Sequence, residues 1–245
     1  MERGFTLVEI AIVVLVLGLL LASLLGPLSI RIEQQEIRKT SDQMEEIKEA
    51  LYGYAMDKEA LPCPDTDSPA DGLANPPCSG AGLQGWLPWQ DLGVDRADWW
   101  GSLFRYRVTE AFTIPDNGVC GGVPGDLDLC RSGEITIRTR GYDKPSATVS
   151  LVTQIPAVIV SYGKNARGAT RALGGAPITD PPAEAADEQE NANNNTTFVT
   201  RHYTAGDPTC NDNVPTKPYC EFDDIVVWLS ANVLKYRLVQ AGRLP

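Results

Sequence analysis

Between Arg3 and Arg31 the sequence carries one ionisable side chain, Glu9, inside the otherwise apolar run that starts at Phe5 and ends at Ile30. A run this long can cross a hydrocarbon core, which needs ~20 apolar residues. A secretory signal peptide, a plain anchor and a buried core helix are its ordinary uses. A signal peptide has an uncharged core and small residues at the third and first positions before its cut. Cuts after Ser23 or Gly26 put Leu21 or Leu24 at the third position, and Glu9 interrupts the core. An anchor has no use for a carboxylate that costs about 3 kcal/mol at membrane depth on insertion scales. A core helix needs no apolar stretch of this length. A charge within such a run is a functional site by default.

The string Arg3-Gly4-Phe5-Thr6-Leu7-Val8-Glu9 closely resembles the class III leader and mature start of type IV pilins and type II secretion pseudopilins. The resemblance implies that a prepilin peptidase cuts between Gly4 and Phe5 and methylates the new amino terminus on Phe5. Glu9 then falls at the fifth mature position, where the family has its glutamate. The likeness is strong over residues 1–30 and holds only in outline beyond them. Cleavage exposes an amine on Phe5, and the carboxylate four residues along can neutralise it in the same chain or in a neighbour. Breaking such a pair leaves an uncompensated buried charge costing roughly 3–5 kcal/mol, so it fixes the register between subunits. Gly18 and the Gly26-Pro27 pair weaken the helix. They are either a tolerated kink or a stretch that unwinds when subunits pack.

After Arg31 the pattern becomes amphipathic. Ile37, Met44, Ile47, Leu51 and Tyr54 recur at three, four or seven residues, with Glu33, Lys39, Glu45, Lys48 and Glu49 on other faces. The spacing predicts a helix continuing to about Ala60, stopped by Leu61-Pro62. From Thr6 it would be ~80 Å long at 1.5 Å per residue. The domain reading is a cleaved leader (1–4), a transmembrane or filament-core helix (5–30), an amphipathic stem (31–61) and a globular head (62–245).

The six cysteines form three close pairs, Cys63 with Cys78, Cys120 with Cys130, and Cys210 with Cys220. None lies in a C-x-x-C spacing, which disfavours zinc, thioredoxin-like and haem-attachment sites. Disulfides and an oxidising compartment follow. Of the fifteen connectivities open to six cysteines, nearest-neighbour pairing is chosen because each pair brackets a Gly, Pro and Asp-rich loop. Each closure would contribute roughly 3 kcal/mol in the chain-entropy model. Within the first loop, Asp65, Asp67 and Asp71-Gly72 faintly resemble a calcium loop, though Pro69 spoils EF-hand spacing. A solvated acidic turn is the alternative, and no cofactor is assigned.

Gly85-Trp86-Leu87-Pro88-Trp89 and Asp98-Trp99-Trp100-Gly101-Ser102-Leu103-Phe104-Arg105-Tyr106 are similar to the D-P-W-G-N-P-Y-Q-Y region of major pseudopilins, with Trp99 in place of the usual proline. Their aromatics are expected to pack over the stem. Strands are expected at Leu103–Thr109, Glu134–Arg140, Ala147–Gln154, Ala157–Tyr162, Phe198–Tyr203 and Asp224–Ser230, paired antiparallel because no helices intervene. Gly163–Asn195 reads as a long, exposed, partly mobile loop. Ala231–Gly242 has Val233, Leu234, Leu238 and Val239 at helical spacing.

No catalytic constellation emerges, so an enzyme is not expected. The one histidine, His202, has no nucleophile signature beside it. Gly121–Gly125 lacks the lysine and helix of a phosphate cradle, and Asn195-Thr196-Thr197 is a formal glycosylation pattern only. The net charge of −11 disfavours nucleic acid. The family's architecture implies an α+β lollipop, a long N-terminal helix packed on an antiparallel β-sheet head. It implies a minor pilin or pseudopilin assembling with other pilin or pseudopilin subunits on an inner-membrane assembly platform. The alternative is a tip-displayed adhesin or uptake module, since the head (62–245) is bulkier than a lattice subunit needs.

Overall fold

A computed structural model describes residues 6–113, 131–141, 148–174 and 178–242, without the side chains of residues 21–30. Gly4, Phe5, Cys120, Cys130 and the 121–125 turn lie outside these. The chain divides into two compact units, Met1–Lys39 and Thr40–Pro245.

Helix α1 (Leu7–Lys58) is a single run of 52 residues. In the first unit its side chains from Leu7 to Leu20 are exposed. Among the described residues no helix is long and apolar enough to cross a membrane, and the side chains that complete the apolar run are not in that set.

In the second unit, α1 buries Thr40, Met44, Ile47, Leu51, Tyr52 and Ala55, a stripe with the three-and-four spacing that turns one helix face inward. The helix stops where Glu59 takes a left-handed φ of 57° and Leu61-Pro62 follows. The described residues of the head then run through β1 (Gln84–Trp86), a short α2 (Trp89–Leu92), β2 (Arg105–Val108), β3 (Ile135–Thr139), β4 (Val149–Ile155), β5 (Ala157–Ser161), α3 (Ala186–Ala192) and β6 (Thr197–Val199). They are followed by β7 (Ile225–Trp228) and α4 (Ala231–Gln240).

An antiparallel sheet ordered β1-β2-β5-β7 forms the centre. All five residues of β5 are buried, which explains its unbroken apolar sequence: both of its faces are covered. Ala157 and Ile159 join Tyr106, Val108, Met44, Ile47 and Leu51 on the helix side, with Leu234 and Leu238 of α4. Val158 and Val160 face the other way, onto Ile135, Ile137, Ile155 and Phe198. Those residues come from a second sheet, ordered β4-β3-β6. Burying each such Val, Ile, Leu or Phe contributes about 1.5–3 kcal/mol. The chain leaves the second sheet at Ile155 and enters the first at Ala157, with Pro156 between.

Four expectations need correction. β3 and β6 run parallel, because the chain travels through α3 before returning, which gives the crossover length that parallel pairing requires. The described residues of the head form two sheets instead of one. The 163–195 stretch is not simply an exposed loop, since α3 buries Asp187, Glu188 and Asn191. Of the aromatics, Phe104 and Tyr106 do pack against α1, but Trp86, Trp89 and Trp100 are only partly buried and Trp99 is exposed.

The Asp98–Ser102 turn shows what its motif does. Asp98 is buried and accepts from the Ser102 and Trp100 amides at 2.9 and 3.0 Å and from the Ser161 hydroxyl at 2.7 Å. Gly101 supplies the left-handed φ of 81° that closes it.

Helix α4 is strapped to α1. The Tyr52 hydroxyl accepts from the Ser230 amide at 3.1 Å, and the Arg237 guanidinium lies 4.5 Å over the Tyr52 ring. Arg237 also donates to both oxygens of Glu49, at 2.5 and 2.9 Å. Tyr52→Phe keeps the ring and orphans the Ser230 amide, so it should lower stability by about 1–2 kcal/mol in a urea melt.

Candidate functional site

The N-terminal turn of α1 places Glu9 where its carboxylate folds back on the helix start. Glu9 Oε2 accepts from the Thr6 amide at 2.8 Å and from Thr6 Oγ1 at 2.9 Å. In return Thr6 Oγ1 accepts from the Glu9 amide at 3.3 Å. This reciprocal pair is a capping box, T-x-x-E, satisfying amides that a helix start leaves unpaired. A carboxylate there also complements the positive end of the helix dipole. Behind it runs a surface of exposed Leu, Ile and Val side chains from Leu7 to Leu20. An apolar surface this extensive marks a contact with lipid or other protein.

In the head, Cys63 is bonded to Cys78 and Cys210 to Cys220, with Cα separations of 5.7 and 4.9 Å. The aspartates of the first loop do converge: Asp65, Asp67 and Asp71 each offer a carboxylate oxygen within 4.8 Å of the others. Asp65 is buried and its oxygens are taken by the chain itself, from the Asp67 amide at 2.9 Å and the Gly72 amide at 2.6 Å. Burial is the main reason its carboxyl is raised above the usual range. Trp89 seals the turn so closely that a Cβ on Gly72 would stand 2.3 Å from the ring. His202 is partly buried, meets Tyr219 edge-on at 5.7 Å, and is lowered chiefly by burial.

The densest polar centre of the head joins α3 to the Cys210–Cys220 loop. Arg140 donates to Asp187 at 2.7 Å, and Arg201 donates to Asp187 at 2.8 Å and to Asp212 at 3.5 Å. All four side chains are buried. Arg201 is sandwiched between the Tyr219 and Phe222 rings, each 4.5 Å from its guanidinium, and donates to the Cys220 carbonyl at 3.2 Å. Two arginines and two aspartates balance in charge, and the stacking fixes their planes. Sequence reading missed this network. Its one visible signal is an arginine just past the end of β3 and another just past the end of β6.

Over 134 residues the chain is 26% identical to the type II secretion system core protein G of Pseudomonas aeruginosa. That match covers 52% of this chain and 93% of that protein. It supports the resemblance to the pilin and pseudopilin family. No family model matches the chain, and no solved structure matches it.

Because nearly all of that protein is used up by half of this chain, the remaining half has no counterpart in it. The centre around Asp187 and the apolar helix with its Thr6–Glu9 box are different kinds of site. One holds a head together, and the other offers a surface with a charge at its tip. Nothing in either geometry gathers a nucleophile, a base and an oxyanion pocket among the described residues.

Proposed function

We propose that this chain is a pilin-like structural subunit, a minor pilin or pseudopilin of a type II secretion filament or type IV pilus. The observation that carries this reading is the likeness to a type II secretion core protein. The exposed apolar face of α1, led by a carboxylate at its first turn, supports it. In this reading prepilin peptidase cuts between Gly4 and Phe5 and methylates Phe5. Residues 5–30 cross the inner membrane before assembly and pack with other subunits on an assembly platform afterwards. The head, 62–245, then lies in the periplasm or on the filament surface, where the disulfides are stable.

A second reading, a tip-displayed adhesin or uptake module, is favoured by one observation. The head's size exceeds what the relative accounts for, since that match spans 52% of this chain. A deletion strain separates the two. Loss of all filaments or of secretion is the outcome of the structural role. Intact filaments with adhesion or uptake lost would overturn it in favour of binding.

A further inference from the structure

Where α3 meets the chain entering β7, three carboxyl groups converge that neither the capping box nor the arginine network uses. Glu188, Asp223 and Asp224 each bring an oxygen within 4.8 Å of the other two. Glu188 is 1% exposed and Asp224 7%. Glu188 Oε1 accepts from Asn165 Nδ2 at 2.9 Å, Asp223 Oδ2 from the Asn165 amide at 2.8 Å, and Asp224 Oδ2 from Asn191 Nδ2 at 2.8 Å. Two buried oxygens, Glu188 Oε2 and Asp223 Oδ1, have no hydrogen-bond partner.

Among the described residues, cations do not balance the group. Arg167 stands 3.6 Å from Glu188 Oε2, beyond hydrogen-bond reach, and is shared with Glu221 at 3.5 Å. Arg201 acts on Asp224 from farther away but is engaged by Asp187 and Asp212. Lys164 adds only a backbone amide to Asp223. Tyr162 lies on the Asp224 side, with its hydroxyl donating to the Asn191 carbonyl at 3.3 Å and its phenol pushed up to about 12, chiefly by burial. Among the described residues, Glu188 and Glu221 thus share one partly exposed guanidinium, and neither Asp223 nor Asp224 has a cation at ion-pair distance. Fully ionised, the centre would leave uncompensated buried charge, which is expensive.

We propose that Glu188, Asp223 and Asp224 form a proton-operated latch, in which a proton held within the trio keeps α3 docked against the chain entering β7 and its loss loosens α3. A proton on one carboxyl removes a negative charge from a trio whose oxygens lie within 4.8 Å of one another, so fewer buried charges are left uncompensated. The energetics agree with this geometry. Burial is the first cause in each case, and it pushes Glu188 up to about 7, Asp223 up to about 6 and Asp224 well above the usual carboxylate range. These folded values lie above those of an unfolded chain, roughly 4. The folded state therefore binds protons that the unfolded state releases. The stabilisation is complete below about pH 4 and is lost as pH rises through about 6 to 7.

The test is amide hydrogen exchange of the full chain in detergent micelles with a chelator present, corrected for intrinsic exchange at each pH. Protection of α3 amides, relative to β5, should fall on the order of tenfold between about pH 5.5 and about pH 8. Glu188→Gln should flatten that dependence, while Asp207→Asn, at a partly exposed acid outside the trio, should leave it intact. Infrared spectra of the wild type should show the C=O stretch of a protonated carboxylic acid at about pH 6 and lose it by about pH 8. That measurement decides alone if the glutamine variant fails to fold. A flat protection ratio, or no protonated-acid band at the lower pH, would overturn the proposal. So would recovery of α3 protection at the higher pH on adding calcium without chelator, which would put a divalent cation in the proton's place.

Discussion

Glu9→Ala is expected to be inserted and processed like the wild type, yet to be almost absent from filaments. The charge left without its partner costs roughly 3–5 kcal/mol. At 1.36 kcal/mol per factor of ten, incorporation should drop at least about a hundredfold. Comparing the variant in membrane and filament fractions by immunoblot measures this directly, and assembly at wild-type levels would remove Glu9 from the account. The geometry adds a way to divide the effect. Glu9 also completes a capping box with Thr6, and losing a cap alone costs only about 1 kcal/mol. Glutamine serves in a capping box as well as glutamate does, but it carries no charge. If Glu9→Gln fails as badly as alanine, charge pairing between subunits is responsible; if it assembles, the cap is.

Asp187→Ala should be the most damaging single change in the head. It removes the carboxylate that buried Arg140 and Arg201 share, while Asp212 stays beside Arg201. Removing one member of such a network costs about 3–5 kcal/mol, a large share of the stability of a domain. The urea midpoint should fall accordingly with little change in slope. Lys48→Ala is the comparison. Its pair with Glu45 lies at the surface, and its loss should shift stability by less than about 0.5 kcal/mol. A loss below about 1 kcal/mol for Asp187→Ala would mean the network is not what fastens α3.

What the sequence reveals depends on which force holds each element. The stem is legible because apolar burial imposes a helical period, and Met44, Ile47 and Leu51 are all buried as their spacing requires. The same is true of β2, β3, β5 and β7, which are held by β-branched and aromatic side chains. Short β1 escapes notice because Gln84-Gly85-Trp86 has no alternation of its own and is fixed by pairing with β2. Helix α3 escapes for a deeper reason. Its buried residues are Asp187, Glu188 and Asn191, so charge and hydrogen bonding hold it where a hydrophobic stripe would be sought. Acidic residues in an Ala, Pro and Asn-rich stretch look solvated until their partners are located, and Arg140 lies 47 residues from Asp187. The parallel pairing of β6 with β3 depends on that same helix. At the N-terminus the opposite holds, since Thr6 and Glu9 are local, and the motif and the geometry are nearly the same statement.

Under the proposed function this chain is cut after Gly4 and enters a filament through its N-terminal helix. Mass spectrometry of the chain recovered from purified filaments tests it most directly. The predicted result is a mature chain that begins at a methylated Phe5 and is found in the filament fraction. A chain that keeps residues 1–4 and never leaves the membrane fraction would contradict it.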